Sequence, residues 1–304
     1  MTALAGTGRL TRLVLRRDRI LLPVWLTAVM ALAVGLVSGV HSLYTTAQER
    51  IEAAVFAAAN VAARVVDGPP SGPDIGSLAM LEAYKLVGIL VALMNTQLVL
   101  RHTRQNEDTG RAEMLGSTVV GRHAPLTAAL LVATAANLVV AAGVTAVLLA
   151  HDLPLAGSLA SGLAVGALGM IFAGIAGVAA QVMATQRAAS AVCAAALGLT
   201  YLLRGAGDAF GTVEGDGMVL VSAWPSWLSP MGWGHQVRPF YQDNWDVFGL
   251  FALSGTALVA LAYFLTTRRD VGEGMLRTRP GPRYAPASLR GSLGIAWRLH
   301  RGLL

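Results

Sequence analysis

The chain has 304 residues, of which 55% are hydrophobic and only 13% are charged, and its formal net charge is +6. Soluble globular domains carry about a quarter charged residues, so this composition excludes an ordinary water-soluble enzyme. It also excludes a disordered chain, which needs low hydrophobicity and high charge. We therefore expect a protein that resides in a lipid bilayer.

The N-terminal segment, residues 1–19, predicts a helix that lies in the membrane interface. Five arginines alternate with apolar residues between positions 8 and 19, a pattern typical of an interfacial amphipathic helix. The apolar run that follows is too long for the central region of a secretory signal peptide, so we expect no cleavable signal here.

Six stretches are candidates for helices that cross the bilayer, which takes about 20 apolar residues. Four of them contain no charged residue: 20–40, 127–150, 153–185 and 247–267. Two are weaker. Residues 86–100 are long enough to cross the bilayer only if the helix extends back to position 77 through Glu82 and Lys85. Residues 188–203 are also short, and they are bounded by Arg187 and Arg204. The sequence thus predicts a six-helix transmembrane domain over residues 20–267.

The arginines indicate how these spans are oriented. With six alternating spans, 18 arginines fall on one side of the membrane and 4 on the other. Because cytoplasmic flanks carry the positive excess, we expect a multi-pass membrane protein with both termini in the cytoplasm. Residues 268–304 would then form an arginine-rich cytoplasmic tail.

The end of this tail resembles the start of the chain. Residues 295–304 can be aligned with residues 13–22, which places Arg298 on Arg16 and Arg301 on Arg19. One interpretation is that the tail begins a second six-helix half. Chance similarity between two arginine-rich amphipathic segments is the alternative.

Two segments on the outer side are long enough to carry structure. Residues 46–66 are rich in alanine and predict a helix that ends at Asp67, before Gly-Pro-Pro. Residues 204–244 hold many aromatic and proline residues, which predict either an interfacial aromatic belt or a re-entrant segment before the sixth span. The candidate residues of this re-entrant segment are Trp224, Trp227, Pro230 and Trp233.

The loop between spans two and three, residues 101–122, is the main candidate for contact with a soluble partner. Asp108 and Thr109 are suitable N-caps for a short helix that would run through Met114 and Leu115 and end near Gly121. Two apolar residues on one side of a short polar helix favour docking onto a partner. A solvated connector helix is the alternative.

Several catalytic motifs are absent from the sequence. Its single lysine, Lys85, is not in a phosphate-binding loop, so the chain has no Walker motif. It also lacks the His-Glu-x-x-His and Gly-x-Ser-x-Gly patterns, and one cysteine cannot form a metal cluster. We expect no enzymatic activity, no bound metal or cofactor and no nucleic-acid partner.

Polar residues inside the spans are costly in hydrocarbon and are therefore of interest. Glu82 and Lys85 lie about one turn apart and predict either mutual neutralisation or a place on a substrate path. Asn95 and Gln97 are further candidates for that path, or for hydrogen bonds between helices. Small residues at positions 162, 166, 169, 173 and 177 predict close helix packing along the fourth span.

The layout of interface helix, spans and loops resembles the permeases of ABC exporters with the type V fold. The similarity is carried by two segments, residues 107–122 and the Ser-Pro-Met-Gly-Trp sequence at 229–233. It is strongest towards the actinobacterial antibiotic and drug efflux branch, such as the tetronasin-type permeases. This chain has Val119-Val120 where family members often carry a proline.

The resemblance implies a coupling helix, formed by residues 107–122, that seats in a separate ATPase subunit. Charged contacts are expected from Arg111 and Glu113, and apolar contacts from Met114 and Leu115, with Glu107 and Asp108 at the start of the helix. Two cytoplasmic ATPase subunits would bind ATP and magnesium, and a second permease copy or half would complete the exporter. The expected cargo is a hydrophobic or amphipathic compound.

Two other functions fit the sequence. A proton-coupled secondary transporter would need an ionisable group within the bilayer, and only Glu82 is available. A membrane assembly protein without a transport path is the second alternative.

Overall fold

The structure is a computed structural model that describes residues 3–111, 114, 119–269, 272–276, 284 and 291–300. Six long apolar helices are found among these residues, as predicted. We number them spans one to six: Leu21–Leu43, Ile75–His102, Ala124–Leu149, Leu155–Val182, Gln186–Ala209 and Val247–Thr266. The shorter helices are Thr7–Arg17, Ala47–Ala59, Val61–Asp67, Arg104–Asp108, the 3-10 helix Trp224–Leu228, Pro230–Gln236 and Ser292–His300. The prediction of an all-α membrane fold is confirmed.

Span four lies at the centre of the bundle, where small residues allow close packing. Most of its residues are buried, and it contacts spans two, three and six. A Cβ atom at Gly162 would overlap the carbonyl oxygen of Ala141 in span three, and one at Gly169 would overlap the side chain of Asn137. The predicted small-residue seam is therefore a packing surface between spans three and four.

Replacing Gly162 with valine is expected to lower the free energy of unfolding by about 1–3 kcal/mol, because the larger side chain forces spans three and four apart. Thermal unfolding in detergent measures the effect. Gly198→Val in span five is the matched control, since no other group lies within 4 Å of a Cβ atom added there. Equal unfolding temperatures for the two variants would contradict the seam.

Span two begins earlier than its uncharged run indicates, at Ile75. The polar residues in its first turns are accommodated by contacts with the outer segments. The ammonium group of Lys85 forms an ion pair with Asp67, at the end of an outer helix, and not with Glu82 as the sequence suggested. Glu82 is half-buried. Because Lys85 has a tertiary partner, the helix can continue through this charged turn.

Span five extends past its expected end, from Leu203 to Ala209. Arg204 and Asp208 are fully buried and form an i,i+4 ion pair with 3.0 Å between Nη1 and Oδ2. The guanidinium of Arg204 also donates to the carbonyl oxygens of Arg64, Val65 and Val66. These are among the last carbonyls of helix Val61–Asp67. That of Arg64 also accepts from the backbone N–H of Gly68, and that of Val66 from the hydroxyl of Tyr201.

The outer helix expected over residues 46–66 is two helices, because Asn60 interrupts it. The Asn60 side chain accepts hydrogen bonds from the backbone N–H groups of Ala62 and Ala63, at 2.9 and 3.2 Å. It therefore caps the start of the second helix, Val61–Asp67. Thr46 and Glu49 form the reciprocal capping box at the start of the first helix.

The segment between spans five and six contains a small hairpin that was not predicted from the sequence. Strands Thr212–Glu214 and Val219–Val221 pair antiparallel, with Val213 opposite Leu220. Residues 215–217 form the turn with positive φ angles, which the glycines at 215 and 217 adopt without strain. The backbone of Leu220 also donates to the carbonyl oxygen of Pro70, so the hairpin is tied to the loop that precedes span two.

Candidate functional site at the arginine-rich end

The loop between spans two and three begins with a short helix that is held in place by ion pairs. Span two ends at His102, and helix Arg104–Asp108 follows directly after a break at Thr103. Asp108 therefore ends a helix, whereas the sequence suggested that it would begin one. The reason is a tertiary contact: an Asp108 oxygen accepts a hydrogen bond from the backbone N–H of Gln186, at 2.6 Å, in the first turn of span five.

The remaining residues of the expected coupling helix are only partly described. Arg111 and Met114 are helical and exposed. Glu113 and Leu115 lie outside the described residues. The assignment of these four residues to a partner contact stays a prediction.

Arg104 is the buried centre of this end of the bundle, with a side chain that is 1% exposed. It donates to the carboxylates of Glu107 (Nη1 to Oε2, 2.9 Å) and Asp108 (Nε to Oδ1, 3.2 Å). It also donates to three backbone carbonyl oxygens on other segments, those of Ala184, Gly272 and Glu273. A single side chain thus holds the loop to two other segments, one directly after span four and one directly after span six.

Arg269 completes this network from the end of span six. Its guanidinium binds both carboxylate oxygens of Glu107, at 2.5 and 2.7 Å, in the bidentate arrangement that makes arginine–carboxylate pairs strong. Its Nε donates to Oε1 of Gln181 in span four, at 2.7 Å. We call the five residues Arg104, Glu107, Asp108, Gln181 and Arg269 the arginine cluster. It joins the loop to spans four, five and six.

The N-terminal amphipathic helix Thr7–Arg17 packs at the same end of the bundle. Its buried residues Leu10 and Val14 belong to an apolar cluster that includes the first turns of span three. The backbone N–H groups of Gly121 and His123 donate to carbonyl oxygens of residues 5 and 3, at 2.8 and 3.0 Å. The helix is thereby tied to the second half of the loop between spans two and three.

Arg17 connects this amphipathic helix to helix Arg104–Asp108, which contributes three residues of the arginine cluster. Its Nη1 donates to Oδ1 of Asn106 at 2.6 Å. Partial burial and then the positive charges of Arg111 and Arg101 lower the pKa of the Arg17 guanidinium, and Asp18 acts in the opposite direction. The surroundings of Arg17 therefore hold an excess of positive charge.

The four residues considered for a substrate path lie at separate places along span two. Lys85 contacts Asp67, and Asn95 is fully buried and exchanges two hydrogen bonds of 2.9 Å with Asn137 of span three. Gln97 accepts a hydrogen bond from the indole of Trp25, at 2.6 Å. Glu82 and Asn95 are separated by roughly 20 Å along the helix, at 1.5 Å per residue. The contacts of Asn95 and Gln97 join neighbouring helices.

The outer segment before span six contains two short helices, and its four candidate residues differ in burial. The indole of Trp233 is 8% exposed, donates to the carbonyl oxygen of Trp227 and lies edge-on to Phe251. Trp224 is 73% exposed and Trp227 is 44% exposed. Pro230 occupies the first position of helix Pro230–Gln236, where proline needs no hydrogen-bond partner.

A buried histidine in this segment was missed by the sequence analysis. The ring of His235 lies edge-on to Tyr84 of span two, with 4.8 Å between centroids. Burial lowers the pKa of His235 well below its usual value, and the positive charges of Arg204 and Lys85 act in the same direction. His235 is therefore neutral at physiological pH.

The arginine cluster was not predicted either, because Arg104 and Arg269 were considered only for their contribution to the charge on one side of the membrane. One signal was present: Arg104 is followed by acids three and four residues later, the spacing of helical ion pairs. Arg269 is 162 residues from Glu107, and no spacing rule relates them.

Six helices that are long and apolar enough to cross a membrane define a multi-pass membrane protein. The chain is 40% identical over 303 residues to the multidrug efflux system permease protein Rv1217c of Mycobacterium tuberculosis. The match covers 98% of this chain and 53% of that protein, so the chain spans about half the length of its relative. No protein-family model matches the chain. The chain is similar to this efflux permease over nearly all of its own length, in agreement with the expected resemblance to drug efflux permeases.

Proposed function

We propose that this chain is the membrane-embedded permease of an ATP-driven exporter of the ABC type, which expels hydrophobic or amphipathic compounds such as drugs or antibiotics. The observation that carries the proposal is the similarity to a named multidrug efflux permease over nearly the whole chain. The chain contains no Walker motif, so hydrolysis falls to separate subunits. Two ATPase subunits with ATP and magnesium would supply the energy.

The proposed orientation places the arginine-rich end in the cytoplasm. This follows from the positive-inside rule, and it puts the loop of residues 101–122 where a soluble ATPase can reach it. A second six-span unit, either another copy or a second half of the same protein, would complete the transport path. The relative's greater length supports two such units.

The arginine cluster provides a route by which movement of the loop reaches the spans. Closure of the ATPase pair on ATP would displace the loop through Arg111 and its neighbours. Because Arg104 and Glu107 hold the loop to spans four and six, and Asp108 holds it to span five, these spans would move with it. Such rigid-body movement is the usual basis of switching between two transport states.

The test of coupling is purification of the full chain in a mild detergent with its ATPase. We expect a Walker-motif protein to co-purify and its ATP hydrolysis to be stimulated by cargo. The triple variant Arg111→Ala, Glu113→Ala and Leu115→Ala should abolish the stimulation while membrane insertion is unchanged. The control Arg187→Ala removes an exposed arginine at the same end of the bundle. Unchanged coupling in the triple variant would count against the proposal.

The orientation is tested by cysteine labelling in intact cells after Cys193 is replaced by alanine. Arg187→Cys at the arginine-rich end should resist a membrane-impermeant maleimide until the cells are opened, whereas Gln48→Cys in the outer helix should react at once. The reverse pattern would refute the cytoplasmic placement of the loop.

The variant Glu82→Gln distinguishes a proton-coupled carrier from an ATP-driven exporter. A proton-coupled carrier would lose pH-driven transport, whereas an ATP-driven exporter would not.

A further inference from the structure

A groove lies between the N-terminal amphipathic helix, the end of span two and the beginning of span three. Its volume is about 360 Å³. The apolar wall includes Leu10, Leu13 and Val14 from one side of the amphipathic helix. Arg17 and Arg111 also line the groove, so it combines an apolar wall with two guanidinium groups.

The two arginines of this groove have no ion-pair partner among the described residues. Neither Arg17 nor Arg111 forms an ion pair with a carboxylate in the part of the chain that the structure describes. The nearby Asp18 is engaged by Arg101 and His102. The hydrogen bond of Arg17 goes to the neutral amide of Asn106. An anionic ligand would therefore supply the missing negative charge.

The position of the groove indicates which anion fits. The amphipathic helix ends at Arg17, and a turn over residues 18–20 leads directly into span one. Because its apolar side faces the bundle, we place the groove at the level of the lipid headgroups. Leu13 is 49% exposed and extends the apolar wall towards the surrounding lipid. Arginine forks match phosphate oxygens, and basic groups at a membrane surface attract anionic lipids.

We propose that this groove binds an anionic phospholipid, with the phosphate at Arg17 and Arg111 and the first part of the acyl chains along Leu10, Leu13 and Val14. The site shares Arg111 with the ATPase contact proposed above, so lipid binding is measured on the chain without the ATPase. Because Arg111 and Met114 border the groove, a bound lipid would contact the first half of the loop that carries the arginine cluster.

The experiment measures lipid retention by the purified full chain, using native mass spectrometry with phosphatidylglycerol and phosphatidylcholine as probes. We expect the wild-type chain to retain phosphatidylglycerol in about tenfold preference over phosphatidylcholine. The variant Arg17→Gln/Arg111→Gln should lose this preference. The control Arg19→Gln/Arg187→Gln removes the same charge from exposed positions outside the groove and should keep it.

Two further variants separate folding and headgroup effects. Arg111→Gln alone changes an exposed residue, so it tests the site if the double variant fails to fold. Leu13→Ser should weaken retention of phosphatidylglycerol, and soluble glycerol phosphate should not displace the lipid. Displacement by glycerol phosphate would identify a site for a soluble phosphate compound instead and would overturn the proposal. Equal loss of preference in the control, or full preference in Arg111→Gln and the double variant, would also overturn it.

Discussion

Replacing Arg104 with alanine is expected to lower the free energy of unfolding by about 3–5 kcal/mol, the range seen when one partner of a buried ion pair is removed. The side chain is almost fully buried and donates to two carboxylates and three carbonyl oxygens. Without it, the carboxylate of Asp108 loses its buried cation, and the carbonyl oxygens lose their donor. Thermal unfolding of the purified chain in detergent measures the loss.

Arg104→Lys is the informative companion variant. Lysine keeps the charge but has no planar fork, so it cannot reach acids and carbonyl oxygens on different segments at once. We expect it to recover less than half of the lost stability. Arg187→Ala is the control, because Arg187 is exposed at the same end of the bundle. An Arg104→Ala protein as stable as this control would mean that the arginine cluster does not hold the loop.

Removing Arg204 is expected to have a comparable effect at the opposite end. Arg204 and Asp208 are both fully buried, and Asp208 also accepts a hydrogen bond from the hydroxyl of Ser222 at 2.6 Å. Arg204→Ala leaves a buried carboxylate unpaired and should cost about 3–5 kcal/mol. The double variant Arg204→Met/Asp208→Leu should cost less, because no buried charge then remains without a partner.

The measurement is a double-mutant cycle on unfolding temperature and folded yield, with Arg204→Met and Asp208→Leu as the two single variants. Arg50→Ala serves as the control, since Arg50 is half-exposed in the outer helix Ala47–Ala59. If the stability loss of the double variant equalled the sum of the losses of the two single variants, the pair would contribute no coupling energy. That result would reassign Arg204 to capping of helix Val61–Asp67 alone.

The positions of the six spans could be predicted from the sequence because uncharged runs of sufficient length are a local property. The start of span two was expected near position 77 only on condition that the helix continues through Glu82 and Lys85, and the end of span five at Ala209 was not predicted. Lys85 and Arg204 signal a helix end when only neighbours in sequence are considered, yet each is held by a distant partner, Asp67 and the carbonyls of residues 64–66. The break at Asn60 was a local signal, since asparagine is a good N-cap, and the sequence analysis overlooked it.

The candidate site was predictable only in outline. The expected partner loop was located from its polar composition, but the bonds that fix it join residues up to 169 positions apart. A helical ion-pair spacing identifies Arg104, Glu107 and Asp108 as one group. Their contacts with Arg269 and Gln186 depend on how spans five and six pack, which a single sequence does not specify.

Because the spans are buried to different extents, only some of them can move together as a rigid unit. Spans two and four are mostly enclosed and are locked to span three by the glycine seam and the Asn95–Asn137 pair, whereas spans one and six bury only a small share of their apolar windows. Movement of a peripheral helix against lipid breaks few contacts within the protein. Movement of spans two, three and four past one another would open voids between them. Spans two, three and four would therefore move together as one unit in any conformational change.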